Sequence, residues 1–129
     1  MDCPCHSHKP YEECCSPYHL GENPPTALAL MRSRYSAYAL GKTDYIIATT
    51  HPDNSTLSLA DRKKQIESFF QNTQFDGLEI LEWKETPPTA TVTFKAILSQ
   101  KGHNTTFTEK SDFEQVNGRW LYRKAISLS

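Results

Sequence analysis

Residues 89–99, TATVTFKAILS, decide the fold of most of this 129-residue chain. Every second residue from Ala90 to Leu98 is apolar, and the residues between them are mostly threonine or lysine. An alternation of period two is typical of a β-strand that has one buried face. We therefore predict a strand here, with its apolar face covered by helices.

The chain around this strand shows the same period from Gly77 onward. Four strands are predicted in all, and the other three cover residues 78–85, 105–116 and 119–128, with breaks at Pro87-Pro88, Gly102 and Asn117-Gly118. Asn117-Gly118 is a strong hairpin signal, because a type I′ turn needs positive φ at both central residues. The last two strands are therefore predicted to pair antiparallel.

Before Gly77 the apolar residues follow a helical period instead. They recur at helical spacing between Leu28 and Tyr38, and a helix through these residues is predicted to end at Gly41. Two further helices are predicted, with Asp44 and Ser58 as their N-caps. Three helices followed by an antiparallel sheet predict an α+β fold.

All four cysteines lie within the first fifteen residues, as Cys3-Pro4-Cys5 and the adjacent pair Cys14-Cys15. Residues two apart in an extended segment project to the same side, so the first two can form half of a metal site. Zinc takes about four soft ligands in a tetrahedron. We predict one zinc ion held by all four sulfurs, with the formal charge of about −2 offset by Lys9 and backbone amides.

The alternative for these cysteines is a pair of disulfides. A Cys14–Cys15 bond would close a strained ring, because adjacent alpha carbons are only about 3.8 Å apart. The residues after Met1 show neither the basic nor the apolar region of a secretory signal, so we expect a cytoplasmic protein. Clustered cysteines in a reducing cytosol bind metal more often than they oxidise, which favours zinc.

Composition limits the remaining function classes. Charged residues make up 22% of the chain and the formal net charge is −1, which indicates neither a nucleic-acid-binding surface nor attraction to an acidic membrane. No apolar run approaches the roughly 20 residues of a membrane span, so a soluble protein is expected. The composition shifts at residues 21–25, GENPP. We predict a cysteine module at residues 1–20 and a main domain at residues 21–129.

Residues 3–15, CPCHSHKPYEECC, resemble the SEC-C motif, the small zinc-binding module of the SecA translocase ATPase. That motif usually reads C-P-C-G-S-G-K-x-Y-x-x-C-C, so the four ligand positions match. His6 and His8 stand where the family has glycine, which commonly supplies positive φ. The loop could therefore have a different backbone conformation, and either imidazole could replace a thiolate as ligand. We nevertheless expect four sulfur ligands.

Four later segments resemble the YchJ-like family of small bacterial proteins. They are residues 30–38 (LMRSRYSAY), 44–46 (DYI), 50–52 (THP) and 118–122 (GRWLY). That family joins an N-terminal SEC-C module to a domain like nuclear transport factor 2. The resemblance implies a cone-shaped α+β domain, three helices on a curved antiparallel sheet, with a small N-terminal zinc knuckle. It implies no particular biochemical activity.

Glu109 and Arg34 are candidate ligand-pocket residues. Glu109 shares a strand face with Phe107 and Phe113, so it is predicted to be a carboxylate among buried aromatic rings that needs a partner. Arg34, next to the core-facing Tyr35, is the natural candidate for a bidentate pair. We favour a structural ion pair that anchors the first helix to the sheet over a catalytic role.

His51 and Tyr38 complete the pocket candidates. His51 precedes Pro52, near the place where cone-shaped folds of this type often open their pocket, and an imidazole can exchange protons near neutral pH. A histidine in such a loop more often bonds the backbone, which is the favoured interpretation here. Both Trp83 and Trp120 are predicted to be core residues.

Two functions from different classes follow. The first is a binding or adaptor module in which the zinc knuckle contacts a protein or ribosomal partner. The second is a small isomerase- or dehydratase-type enzyme that uses Glu109, His51 and tyrosine hydroxyls for proton transfer. The first is favoured, because four protein ligands leave no position for a zinc-bound water, and no residue is assigned as catalytic. A homodimer formed through the exposed sheet face is a further expectation.

Overall fold

A computed structural model describes the whole chain, Met1–Ser129. Its helices are α1 (Ser16–His19), α2 (Ala27–Leu40), α3 (Thr43–Ala48) and α4 (Leu59–Asn72), with short 3₁₀ turns at Tyr11–Glu13 and Pro52–Asn54. Its strands are β1 (Gln74–Thr86), β2 (Thr89–Gln100), β3 (His103–Asn104), β4 (Phe107–Val116) and β5 (Arg119–Leu128). None of the helices combines the length and the apolar character that crossing a membrane requires.

The strands form one antiparallel sheet in the order β1-β2-β4-β5, and β3 pairs with the end of β2. Asn117 and Gly118 have φ values of 52° and 78°, so the predicted hairpin between β4 and β5 is present. Register shifts interrupt the pairing of β1 with β2 and of β4 with β5. Such irregularities increase twist and bend the strands, which curves the sheet around the helices.

The core lies between α2 and the inner face of the sheet, as the alternation in residues 89–99 predicts. The buried residues of that face in β2 are Ala90, Val92, Phe94, Ala96 and Leu98. Tyr35 on α2 and Trp120 on β5 are buried in the same cluster. The prediction for Trp83 was wrong, because its side chain lies 45% exposed on β1 and its indole nitrogen donates to Glu85.

The helix ends follow side-chain and glycine capping. Ser58 Oγ accepts from the amide of Asp61 at 3.1 Å, and Gly41 ends α2 in the left-handed region with φ 72°, as predicted. The prediction for Asp44 was wrong. Helix α3 begins at Thr43, so Asp44 lies inside the first turn, where a negative charge still interacts favourably with the helix dipole.

Candidate metal centre and cavity

The four cysteine sulfurs converge on one point. All of them lie within 4.8 Å of one another. The Cys5 and Cys14 sulfurs are 3.6 Å apart, and those of Cys14 and Cys15 are 3.9 Å apart. Zinc–sulfur bonds of about 2.3 Å in a tetrahedron give a sulfur–sulfur distance of about 3.8 Å. These two distances are close to that value, and both far exceed the roughly 2.05 Å of a disulfide bond.

Local backbone bonds produce this convergence. The amide of Cys3 donates to the carbonyl of Lys9 at 2.9 Å, and Asp2 pairs with Pro10, so the loop folds back on itself. The 3₁₀ turn at Tyr11–Glu13 and the start of α1 then bring Cys14 and Cys15 to the same point. Three of the four cysteines are almost fully buried.

The two histidines of the loop adopt the conformation that glycine would supply. His6 has φ 60° and His8 has φ 69°, both in the left-handed region. The loop therefore keeps the shape expected from the SEC-C motif, with some backbone strain at each histidine. Neither imidazole belongs to the group of potential ligands that converge here, which consists of the four cysteines.

Arg32 places a cation beside the sulfur cluster, and the sequence did not single it out for this role. Its Nη1 donates to the carbonyl of Cys5 at 3.2 Å and lies 3.9 Å from the Cys5 sulfur. The hydroxyl of Ser7 lies 3.1 Å from the Cys14 sulfur. The side chain predicted to offset the charge, Lys9, is exposed instead. A guanidinium on α2 thus faces the negative charge that four thiolates would create around a divalent ion.

The thiols share their protons unequally. Hydrogen bonding from the neighbouring thiol of Cys15 lowers the pKa of Cys5 to about 4. Burial raises the pKa of Cys3 to about 11, and the thiolate of Cys5 raises the pKa of Cys15. A metal must therefore displace protons from the latter two thiols. Metal affinity is consequently expected to fall as the pH is lowered, because protons compete for the sulfurs.

His19 joins the cysteine module to α2. Its Nε2 lies 2.8 Å from the carbonyl oxygen of Ser33, so this nitrogen carries the proton, and Nδ1 accepts from the hydroxyl of Tyr11 at 2.6 Å. Burial lowers the pKa of His19, which favours the neutral ring. The ring of His6 also meets Tyr35 edge-on at 5.8 Å between centroids. The module is therefore packed against the main domain.

We expect His8→Gly to stabilise the cysteine module. The His8 side chain is exposed and makes no hydrogen bond, while its φ of 69° is costly for any residue with a Cβ. Relief of that strain should contribute about 0.5–1 kcal/mol after the extra freedom of glycine in the unfolded chain is subtracted. The measurement is the zinc affinity of the folded protein in competition with a chromogenic chelator. His103→Gly, in β3 without positive φ, is the control and should bring no gain.

A cavity of about 280 Å³ lies between α2, α4 and the inner face of the sheet. Its walls are mostly apolar, and its aromatic lining consists of Tyr35, Tyr38, Phe69, Phe75, Phe94, Phe107, Phe113 and Tyr122. Its polar lining consists of Arg34, Gln65, Glu109 and Ser111. Three of the predicted pocket residues therefore meet in one place: Arg34, Tyr38 and Glu109.

The predicted ion pair between Arg34 and Glu109 is not formed. Arg34 Nη1 instead donates to the Ile46 carbonyl at 3.0 Å and to the Thr49 and Thr50 hydroxyls at 2.8 and 3.0 Å. Ile46 lies in α3, and Thr49 and Thr50 follow directly after this helix, which the sequence could not position. The guanidinium therefore anchors α3 to α2.

Tyr122 lies between the two charged groups. Glu109 Oε2 accepts from the hydroxyl of Tyr122 at 3.0 Å and from the hydroxyl of Ser111. The guanidinium of Arg34 lies over the Tyr122 ring, 4.7 Å from its centroid. Burial, and then the Glu109 carboxylate, raises the pKa of Tyr122, so its hydroxyl remains a donor. The two charges thus share the cavity and are bridged by an aromatic ring.

His51 does not line the cavity. Its Nδ1 accepts from the amide of Asp53 at 3.1 Å, so Nε2 carries the proton that is shared with Glu114 at 3.0 Å. Its own amide donates to the carbonyl of Tyr122. The interpretation of His51 as a residue that bonds the loop backbone agrees with these contacts. The structure does not bring it together with Glu109.

The sequence comparisons identify relatives over nearly the whole chain. The family model described as "YchJ, middle NTF2-like domain" matches residues 26–125. A UPF0225 protein of Haemophilus influenzae (strain PittGG) is 38% identical over 123 residues, which cover 94% of this chain and 75% of that protein. The main domain therefore has the nuclear-transport-factor-2-like fold that the sequence predicted.

Two solved structures are similar over all of this chain. One is a SEC-C motif-containing protein from Rhodopseudomonas palustris, with a TM-score of 0.84, 31% identity and full coverage of both chains. The other is a SEC-C motif-containing protein from Psychrobacter arcticus, with a TM-score of 0.78 and 30% identity, of which 83% is covered. Both likenesses include the cysteine module as well as the main domain.

Proposed function

We propose that this chain, which belongs to the YchJ-like family, is a zinc-binding protein with a binding or adaptor role. Cys3, Cys5, Cys14 and Cys15 are the proposed ligands. The observation that carries the proposal is the convergence of their sulfurs at distances close to those of a tetrahedral zinc–thiolate site. The donor set of four soft sulfurs also favours zinc over harder cations.

The proposed zinc has a structural role. Four protein ligands fill the tetrahedron, so no position is left for a water that could act as a nucleophile. Three of the sulfurs belong to buried residues, which also keeps substrates away from the ion. The ion would instead hold residues 1–20 in one conformation, because a module of this size has almost no core of its own.

The adaptor role is proposed for the outer surface of the cysteine module. His8 and Lys9 lie exposed at the tip of the cysteine loop, and Leu20 is 86% exposed at the end of α1. A rigid loop with one cation and one nearby apolar side chain can contact a protein or a ribosomal surface. We propose such a contact as the reason why the module is presented on the outside of α2.

Untagged protein prepared under reducing conditions is expected to contain one equivalent of zinc per chain. Cys14→Ser should lose most of the metal, because removal of one thiolate breaks the closed tetrahedron. Elemental analysis measures the zinc content of each protein, and intact mass shows whether its cysteines are oxidised. Well under one equivalent, or a mass that shows two disulfides, would contradict the proposal.

The same two proteins test the adaptor role when they are used as bait in a native lysate. A partner bound through the module should be retained by the wild type and lost by Cys14→Ser. Leu57→Glu, at an exposed apolar residue far from the cysteines in sequence, is the matched control that should keep the partner. Equal capture by all three proteins would contradict the proposed adaptor role, and it would not bear on the proposed zinc site.

The enzyme alternative has weaker support. An isomerase or dehydratase needs an acid and a base within reach of one substrate. Glu109 lines the cavity, but His51 bonds Glu114 outside it. The Tyr122 hydroxyl lies beside Glu109, but it already donates to that carboxylate. The cavity is better suited to binding than to proton transfer.

A further inference from the structure

The cavity of the main domain has polar chemistry that the protein itself leaves unsatisfied. Arg34 is 7% exposed, and only its Nη1 donates hydrogen bonds to the protein. Thr105 Oγ1 is the one side-chain polar atom in the chain that is both fully buried and without a partner. The remaining nitrogens of Arg34 have no hydrogen-bond partner and are not fully buried, so they must contact accessible space. Arg34 lines the cavity, which supplies that space.

Glu109 offers the complementary group. Its Oε2 accepts two hydroxyl bonds, whereas its Oε1 accepts none. The cavity thus holds a guanidinium with unused donors and a carboxylate with an unused acceptor, and no ion pair joins them. Opposite charges in an apolar cavity are costly to leave without partners, so a ligand that bridges them gains from both.

We propose that this cavity binds a small, uncharged molecule with an amide-type head, in which a carbonyl oxygen and an N–H lie side by side, on an apolar body. The carbonyl oxygen accepts from Arg34 and the N–H donates to Glu109. A neutral head suits a site whose own charges sum to zero. A carboxylate would face Glu109 and an ammonium would face Arg34, so each meets one like charge.

The cavity also limits the body of the ligand. An engineered cavity of about 150 Å³ binds benzene, so a volume of 280 Å³ suits roughly ten to twelve non-hydrogen atoms. The rings of Phe69, Phe75 and Phe94 lie on the walls, and aromatic rings pack favourably against one another. The space is open to solvent on one side rather than an enclosed void of the core, so a ligand can enter it.

The test compares three probes of nearly equal size: 3-phenylpropanamide, 3-phenylpropanoate and 3-phenylpropylamine. Each probe is titrated into the full, zinc-loaded chain while the backbone N–H and side-chain NMR signals of the cavity residues are followed. The amide is expected to bind at least about tenfold more tightly than either charged probe, with shifts confined to the cavity. Binding of L-phenylalanine as tightly as the amide would overturn the neutral head in favour of a zwitterion.

Glu109→Gln gives the decisive variant, because it changes the charge of the site and keeps its shape. The guanidinium is then unopposed, so the affinity of 3-phenylpropanoate should rise by more than the roughly tenfold lead of the amide in the wild type, and this probe should bind better than the amide. Glu82→Gln, at an exposed carboxylate on β1, should leave the order of the probes unchanged. Ala96→Leu, which fills part of the cavity, should weaken all three probes.

Three further results would overturn the proposal. They are no binding of any probe in the cavity, equal binding of the three probes to the wild type, and an unchanged order of affinity in Glu109→Gln. Each of these is independent of the metal content, so failure here is distinguishable from failure of the zinc proposal.

Discussion

Removal of zinc is expected to unfold residues 1–20 and to weaken the main domain without unfolding it. Structural zinc supplies about 10 kcal/mol to a module of this size, which has no sufficient core of its own. The main domain keeps its own core but loses the hydrogen bonds from His19 to Ser33 and from Arg32 to Cys5. Two such bonds contribute about 1–3 kcal/mol to its free energy of unfolding.

Hydrogen exchange and urea unfolding, each with and without a strong chelator, measure the two effects separately. The amides of residues 1–20 should lose protection, and the unfolding midpoint of the main domain should shift downward. In Arg32→Met, which already lacks one of the connecting bonds, the shift caused by the chelator should be smaller. Complete loss of the main transition would show one cooperative unit, and an unchanged midpoint would show that the contacts made by His19 and Arg32 contribute nothing.

The elements of this fold were predictable where local chemistry determines them. The turn at Asn117-Gly118 needs positive φ at both residues, and few other dipeptides tolerate it. The alternation in residues 89–99 assigns a buried face, because a shift of one residue would expose every apolar side chain. The predicted strand at residues 119–128 coincides with β5, whereas β1 begins at Gln74, earlier than the predicted residue 78.

The contacts of the site were less predictable, because they depend on how distant elements meet. The pairing of Arg34 with α3 rather than with Glu109 depends on where α3 packs, and no residue pattern determines that. Arg32 and His19 connect the cysteine module to α2, and the sequence around each of them does not indicate these contacts. The module's internal geometry was predictable, since its ligands lie within thirteen residues of one another.

Arg34→Met is expected to cost about 3 kcal/mol of folding free energy, and Glu109→Gln less than about 1 kcal/mol. The arginine donates three hydrogen bonds, two of them buried, to α3 and to the residues directly after it. Bonds from a charged donor are each worth about 1.5–3 kcal/mol, from which the cost of burying the guanidinium is subtracted. A glutamine at position 109 can still accept from Tyr122 and Ser111 through its amide oxygen. Urea midpoints of the two variants and of the double variant measure the effects.

The double variant distinguishes an indirect arrangement from a direct ion pair. Because Tyr122 lies between the two groups, their coupling should stay below about 1 kcal/mol, whereas a buried pair would cost about 3–5 kcal/mol when either partner is removed. Arg123→Met is the matched control, since that side chain is 39% exposed and lies 3.5 Å from Asp112. It should cost less than about 1 kcal/mol. A loss in Glu109→Gln as large as that in Arg34→Met would mean that the two side chains form a direct ion pair in solution.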